Sequence, residues 1–367
     1  MTARRAHIDR LFFWSVISLA VAGYLIFLSA SLGLLAQNGA SFGTVALKQT
    51  VSLLIGFAVF YAFSRMPYQW LRKYSLFILI GAVFLNLLLF VPHLSLYHGG
   101  AARWINIGPL SFQPSEFLKV AFIVYLAAWV RYAKDRIKDM RFGLLPYAAI
   151  MAVLGGLLLA QSDTDTLVII GGTGAVMMLI AGMPIKHVAL AGLLMVAVVA
   201  GVIALRPYAL ERVKTFLSPS ANSQGSGYQI NQSLIAIGSG GIVGRGFGQS
   251  IQKFGYLPQP TDDSIFAVAS EEFGFLGAST LIALYVLFAA AAFRVGARSA
   301  DQFGGMLASG IGILVVTESF MNMAAMMGLL PLSGVPLLFV SHGGTALIIT
   351  LMAAGIVANI SKRREVL

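Results

Sequence analysis

Charged side chains are scarce in this sequence, and where they gather limits the chemistry it can perform. Eight acids, Glu116, Asp163, Asp165, Glu211, Asp262, Asp263, Glu271 and Glu272, lie at the ends of apolar runs or in one long polar segment, and four cations, Arg103, Lys119, Arg212 and Lys253, share those stretches. A carboxylate so placed has two open readings: it can satisfy the free N–H groups at a helix start, or it can take a proton from a reacting hydroxyl. Asp263, just before the run SIFAVASEEF, stands between the two. Arginine grips phosphate oxygens bidentately and lysine supplies a point charge, so the cations suit an anionic ligand, although an interfacial anchor explains each of them singly. Glu318, followed by Asn322, falls inside an apolar run. An ionisable residue there marks either a functional site or a hydrogen-bonded structural one.

Other chemistries find little support. The chain has no cysteine, hence neither a disulfide framework nor a thiolate metal site. His7, His93, His98, His187 and His342 are scattered without ligand spacing. The run GSGGIVGRGFG, Gly238 to Gly248, satisfies neither common nucleotide-binding spacing and follows no strand pattern, so tight turns or close backbone approach are its predicted uses. A net charge of +11 follows from membrane topology and attraction to anionic lipid, and no nucleic-acid partner is expected.

The elements that must position these residues are membrane helices. Apolar residues make up 58% of the chain and charged residues 11%, with a mean hydropathy of +0.84. A spanning helix needs roughly 20 apolar residues. Such runs are read at Leu11 to Ala36, Lys48 to Phe63, Ser75 to Val91, Glu116 to Tyr132, Leu144 to Ala160, Thr166 to Met183, His187 to Leu205, Ile265 to Phe293, Phe303 to Met323 and Val335 to Ile360. The expectation is an all-α polytopic membrane protein of about ten transmembrane helices, one integral membrane domain over residues 1–367. The first run is too long for a signal peptide.

Lysine and arginine set the orientation. Arg4, Arg5, Arg10, Arg65, Arg72, Lys73, the cluster from Arg131 to Arg141, Lys186, Arg294, Arg298 and Lys362 to Arg364 fall on one side, 17 of 25 basic residues, which places both termini in the cytoplasm. The segment from Arg206 to Asp263 is then a long outward loop between the seventh and eighth spans. Within it, Ile230, Leu234 and Ile237 have the spacing of an interfacial amphipathic helix over Tyr228 to Gly241. Carboxylates and cations on an outer membrane face suit a lipid-linked anionic substrate, for a transporter or for an enzyme.

Four stretches, in order, resemble the SEDS family of shape, elongation, division and sporulation proteins: GGAARWINIGPLSFQPSEFLK from Gly99, LLLAQSDTDT from Leu157, GYQINQSLIAIGSGGIVGRGFGQSIQKFGYLPQPTDDSIFAVASEEFGFLG from Gly227, and NMAAMMGLLPLSGVPLLFVSHGGTAL from Asn322. SASLG, YQWLRKYS, VYLAAWV and SADQFGGMLASGI are closer to the division type, FtsW, than to RodA of elongation, with SpoVE of sporulation the other near relative. The pattern departs at Ser162, Asp165, Gln259, Leu338 and His342, where the family favours proline, glycine, glutamate, proline and tyrosine.

The resemblance implies a peptidoglycan glycosyltransferase in the bacterial inner membrane. It would polymerise lipid II, carried on undecaprenyl diphosphate, into β-1,4 glycan at the outer leaflet with inversion. Alignment of PQPTDDSIFA without a gap puts the family's catalytic aspartate on Asp263. The candidates for diphosphate or sugar contact are Arg103, Lys119, Arg212, Gln232, Ser233, Lys253 and Ser341. Glu116 and Asp163 are candidate ligands for a divalent cation, Mg or Mn. A class B penicillin-binding protein is the implied partner, with division-complex proteins if the division type is correct. A lipid II flippase using Glu318, an elongation polymerase and a scaffold of the division complex are the alternatives.

Overall fold

Backbone N–H and C=O groups have no water to bond in hydrocarbon, so apolar runs of this length must satisfy them internally, as helices. The computed structural model describes residues 7–36, 42–91, 95–98, 101–107, 110–218 and 225–362. Arg4, Arg5, His93, Arg363 and Arg364, used above for orientation or considered as ligands, lie outside them.

The helices are α1 (Arg10–Ser31), α2 (Phe42–Arg65), α3 (Gln69–Lys73), α4 (Ser75–Leu87), α5 (Pro114–Ala133), α6 (Leu144–Ala160), α7 (Thr164–Ile180), α8 (Ile185–Leu205), α9 (Pro207–Leu217), α10 (Ser226–Ser239), α11 (Ile265–Ala297), α12 (Gln302–Met326) and α13 (Gly344–Ser361). Among the described residues six are long and apolar enough to cross a membrane: α1 with its 3-10 extension, α2, α8, α11, α12 and α13. Ser75–Phe90, α6 and α7 are apolar but shorter. α5 has the length but carries Glu116, Lys119 and Arg131. Each predicted span overlaps a helix.

α12 and α13 form the buried centre, with α2 packed on α13 and α11 on both α12 and α1. α8 has no buried residue, and its sequence is apolar all round, as lipid contact on most sides requires.

Three elements differ from the sequence reading. The segment 206–263, read as a long loop with one helix, holds a further helix, α9, which carries Arg212, ahead of α10. The predicted interfacial helix is α10, but its buried side is Gly227, Ile230, Ser233 and Ala236, while Leu234 is 43% exposed. The last helix begins at Gly344 rather than Val335, because the Ser341 Oγ captures the Leu337 N–H at 2.9 Å and Phe339 turns into the left-handed region, φ 69°. Residues 335–343 therefore fold back into the protein.

Two backbone features have local causes. A three-stranded antiparallel sheet, β1 (Ser95–His98), β2 (Ala101–Ile107) and β3 (Leu110–Phe112), precedes α5. Ala102 pairs with Tyr97 and Trp104 with Leu96, so the extra residue of a bulge is Arg103. Bulges re-aim a side chain. α11 is interrupted at Gly274, φ 65°. The carbonyls freed there, of Glu271 and Glu272, accept the N–H groups of Arg245 and Gly246 at 3.0 and 2.9 Å. The Phe275 and Leu276 N–H groups donate to Gly241 and Ile242 at 2.8 and 3.1 Å. A Cβ on Gly244, φ 82°, or on Gly274 would enter the opposing backbone, so the glycine run serves close approach, as its sequence predicts.

Candidate active site

Asp263 sits in a turn whose carbonyls are held one by one. The Thr261 carbonyl accepts the His342 N–H at 2.8 Å, the Asp262 carbonyl accepts the Ser341 hydroxyl at 2.7 Å, and the Asp263 carbonyl accepts Asn322 Nδ2 at 3.0 Å. Asn322 also donates to the Val335 carbonyl at 2.9 Å, which ties the folded-back segment to the same point. Gln259, left-handed at φ 47°, closes the turn by accepting the N–H groups of Asp262 and Ser264 at 3.1 and 3.3 Å. Gln229 of α10 donates to the Ser264 hydroxyl at 3.0 Å. The backbone is fixed from three sides, while the carboxylate is not spent on capping. Ser264 holds the N-cap position of α11, and no side chain caps that helix. The capping alternative for Asp263 is thereby corrected.

Two guanidinium groups face this carboxylate. Arg103, from the bulge, donates Nη2 to the Ser162 carbonyl and lies 3.9 Å from Asp163, whose side chain caps α7 through the Thr166 N–H and hydroxyl. Arg212, from α9, donates Nη1 to Asp165 at 3.0 Å. The three charges meet over Gly334, where a Cβ would lie 3.6 Å from Arg103 Nη1, 3.8 Å from Arg212 Nη2 and 4.0 Å from Asp263 Oδ2. A cavity of about 400 Å³ opens beside them, lined by Arg212, Gln229, Gln259, Asp263, Ser333 and Gly334 among others. Burial and then the Asp262 charge raise the Asp263 carboxyl; Arg212 opposes them, Asp165 adds to them and Arg103 opposes again. The result is a carboxyl pushed up to about 7. A base poised near neutral pH, with two cations within reach of one point, can accept a proton while anionic charge develops beside it.

The remaining candidates occupy other places. Lys119 is buried between Glu116 at 2.9 Å and Glu318 at 2.5 Å, so it holds α5 to α12 rather than facing the cavity. Lys253 is fully buried on Glu272 at 2.6 Å and Ser29 at 3.1 Å. Ser233 points into the bundle beside the Met326 sulfur, and Gln232, half-buried on α10, is not among the cavity's lining residues. Ser341 and Asn322 act on the backbone of the turn. For a metal, Glu116 is engaged by Lys119 and Asp163 by its cap and Arg103, and among the described residues no three His, Asp or Glu side chains converge to hold an ion. The predicted pair does not fit a metal centre. Gly334 and Gln229 are the site residues that sequence reading missed. Gln229 lies one helical turn before Gln232 on nearly the same face of α10, and what separates them is its position at the Ser264 end of the helix, where it reaches the turn and the cavity.

The fold and site define a multi-pass helical membrane protein with a buried carboxyl, Asp263, set near two arginines at one end of the bundle. Residues 9–366 match the cell cycle protein family of FtsW, RodA and SpoVE, and the chain belongs to that family. It is 36% identical over 316 residues, 86% of its length, to the probable peptidoglycan glycosyltransferase FtsW of Geobacter sulfurreducens, covering 85% of that protein. It is 34% identical over 317 residues to stage V sporulation protein E of Bacillus subtilis, covering 86% of this chain and 87% of that one. In three dimensions it superposes on a chain of a peptidoglycan synthase complex that coordinates polymerization and crosslinking, with a TM-score of 0.76, 25% identity and 96% and 97% of the two chains covered. Rod shape determining protein RodA of Thermus thermophilus shares the fold, with a TM-score of 0.71 at 22% identity over 97% of each chain.

Proposed function

We propose that this protein is a peptidoglycan glycosyltransferase that polymerises lipid II at the outer face of the bacterial inner membrane, in the division role of FtsW. The observation that carries the reading is the convergence of Asp263, Arg103 and Arg212 over Gly334. The donor is an α-linked sugar diphosphate and the product a β-1,4 bond, so the reaction is a single inverting displacement. The acceptor 4-hydroxyl attacks the anomeric carbon, its proton passes to Asp263, and the bond to the diphosphate oxygen breaks. Inversion needs one base. No acid is required, since the diphosphate leaves as an anion and Arg103 and Arg212 offer forked donors to its oxygens. No step is assigned to Mg or Mn.

The clamped turn keeps the base in place while the substrate exchanges. The sequence relatives named FtsW support the division role over elongation. The likeness to a chain of a synthase complex supports a transpeptidase partner, a class B penicillin-binding protein. With both termini cytoplasmic, the Asp263 end of the bundle faces outward.

The test is lipid II polymerisation by the purified full chain with its cognate partner. Asp263→Ala is expected to lose roughly 10²- to 10⁴-fold in rate, the range a general base supplies. Normal polymerisation by the folded variant would remove Asp263 as the base.

A further inference from the structure

The opposite end of the bundle holds a second cavity that polymerisation does not use. α13 runs from beside the Asp263 turn to this end, a distance of roughly 27 Å at the rise of an α-helix. Four of the six candidate spans meet there: α1 begins, and α2, α11 and α13 finish, around a space of about 1660 Å³. Among the described residues its charged lining is Arg10, Arg65, Arg294 and Lys362, with Asp9 the single carboxylate. Asp9 is already engaged: Oδ1 accepts the Phe12 N–H at 3.1 Å as the cap of α1, and Oδ2 lies 3.9 Å from Arg294. Arg10, Arg65 and Lys362 remain as a group of like charges. Lys362 folds back to donate to the Ser64 carbonyl at 2.7 Å, and burial, then the Arg65 charge, push its ammonium below its ordinary range. An anion placed among the three would offset the repulsion between Arg65 and Lys362 and pair with the ammonium.

The rest of the wall is apolar and aromatic, with Phe13, Trp14, Phe60 and Tyr61. Trp14 and Tyr61 are 62% and 60% exposed at the ends of their spans, the depth at which such rings sit against lipid headgroups. The space would hold on the order of fifty water molecules, far more than one phosphate ion displaces. A bare anion would leave the aromatic wall wet, whereas a phospholipid would fill both parts.

We propose that this pocket binds an anionic phospholipid, its phosphate held by Arg10, Arg65 and Lys362 and an acyl chain laid along Phe13, Trp14 and Tyr61. The ligand is a lipid rather than free phosphate because the cations and the apolar wall share one cavity at the end of four spans. Binding there joins the ends of α11 and α13, the two helices that frame the Asp263 turn. The site is independent of the glycosyltransferase reading.

The test is native mass spectrometry of the full chain in detergent, titrated with dioleoyl phosphatidylglycerol or dioleoyl phosphatidylcholine, with sodium phosphate as competitor. Wild type is expected to retain the glycerol lipid about tenfold better than the choline lipid, as a few near-surface cations allow. The Arg65→Gln/Lys362→Gln double variant should lose that preference, Lys362→Arg should keep it, and phosphate should not compete. Equal retention of the two lipids, an unchanged double variant or displacement by phosphate each overturns the proposal. If the double variant fails to fold, Arg10→Gln, at an exposed position, is expected to show a several-fold loss of the same preference, and no loss there counts against the site.

Discussion

Two sets of carboxylates lie within ten residues of one another at the start of α11, and they are treated in opposite ways. Glu271 and Glu272 are saturated. Glu271 accepts the Ser250 hydroxyl at 2.5 Å, the Ile251 and Gln252 N–H groups at 3.1 and 3.2 Å, and Arg245 Nε at 3.3 Å. Glu272 accepts Lys253 at 2.6 Å and the Ser29 hydroxyl at 2.6 Å. Together they fasten the glycine-rich segment and α1 to α11. Asp263 instead has its backbone held at each neighbouring carbonyl and its side chain turned to a cavity, near cations that are committed to other carboxylates. A buried carboxylate with all its donors supplied is a structural tie. One kept short of donors beside an opening is kept for a reacting proton.

The sharpest way to break this contrast is to neutralise one member of each set. Asp263→Asn should abolish polymerisation yet preserve the fold. The native carboxyl, at about 7, binds a proton that the unfolded chain releases near 3.8. Stability attributable to it is therefore present at low pH and falls as pH rises through that interval. Thermal unfolding at pH 8 should show the Asn variant at least as stable as wild type, whereas a large fall in Tm would show that Asp263 is another tie. Lys253→Met should do the reverse. It strands Glu272 in the interior, and breaking a buried pair costs about 3–5 kcal/mol. Unfolding in detergent would reveal the loss, with activity falling only in step with the folded fraction.

The arginines sharpen the chemical half of the comparison. Arg212→Lys retains the charge but loses the forked geometry. A rise in KM for lipid II and a fall in kcat, together about 10- to 100-fold in kcat/KM, is expected if the guanidinium grips the diphosphate in both ground and transition states, at the 1.4 kcal/mol per decade that relates rate to free energy. An unchanged kcat/KM would reduce Arg212 to an anchor. Gly334→Ala puts one methyl at the point where Arg103, Arg212 and Asp263 meet. It should slow polymerisation by about tenfold, since misplacement by an ångström costs up to 100-fold, with no loss of Tm. Wild-type rates would show that the substrate does not use that space.

The sequence displays one half of this contrast better than the other. Helices are legible because apolar runs in lipid have few alternatives, and Asp263 was reachable because its motif aligns without a gap. Lys119 and Lys253 misled because a cation near an outer helix end looks the same in sequence whether it faces a cavity or is clasped by Glu116, Glu318 or Glu272 from elsewhere in the chain. Gly334 was invisible because its role lies in space left open, which no side chain records. Arg103 carried its position in a strand bulge that composition does not encode. Asp165 appears in sequence only as a departure from the family pattern, and in the structure it holds Arg212.

That departure carries the smallest and most specific expectation. Asp165 raises the Asp263 carboxyl by its own negative charge and occupies the guanidinium that opposes it. Asp165→Asn removes one negative charge and frees Arg212, and both changes favour the ionised form of Asp263. Its pKa should fall from about 7. Because the base works deprotonated, rates rise with pH through that value in the wild type, and in the variant the acid limb should move to lower pH, by roughly one unit or less. At pH 6 the variant should keep a larger fraction of its own maximal rate than wild type does. Glu272→Gln, measured alongside on the folded fraction, should leave the limb where it is, because Glu272 is not among the charges that act on Asp263. A limb that moves equally in both variants would mean that the two sets of carboxylates are electrostatically one.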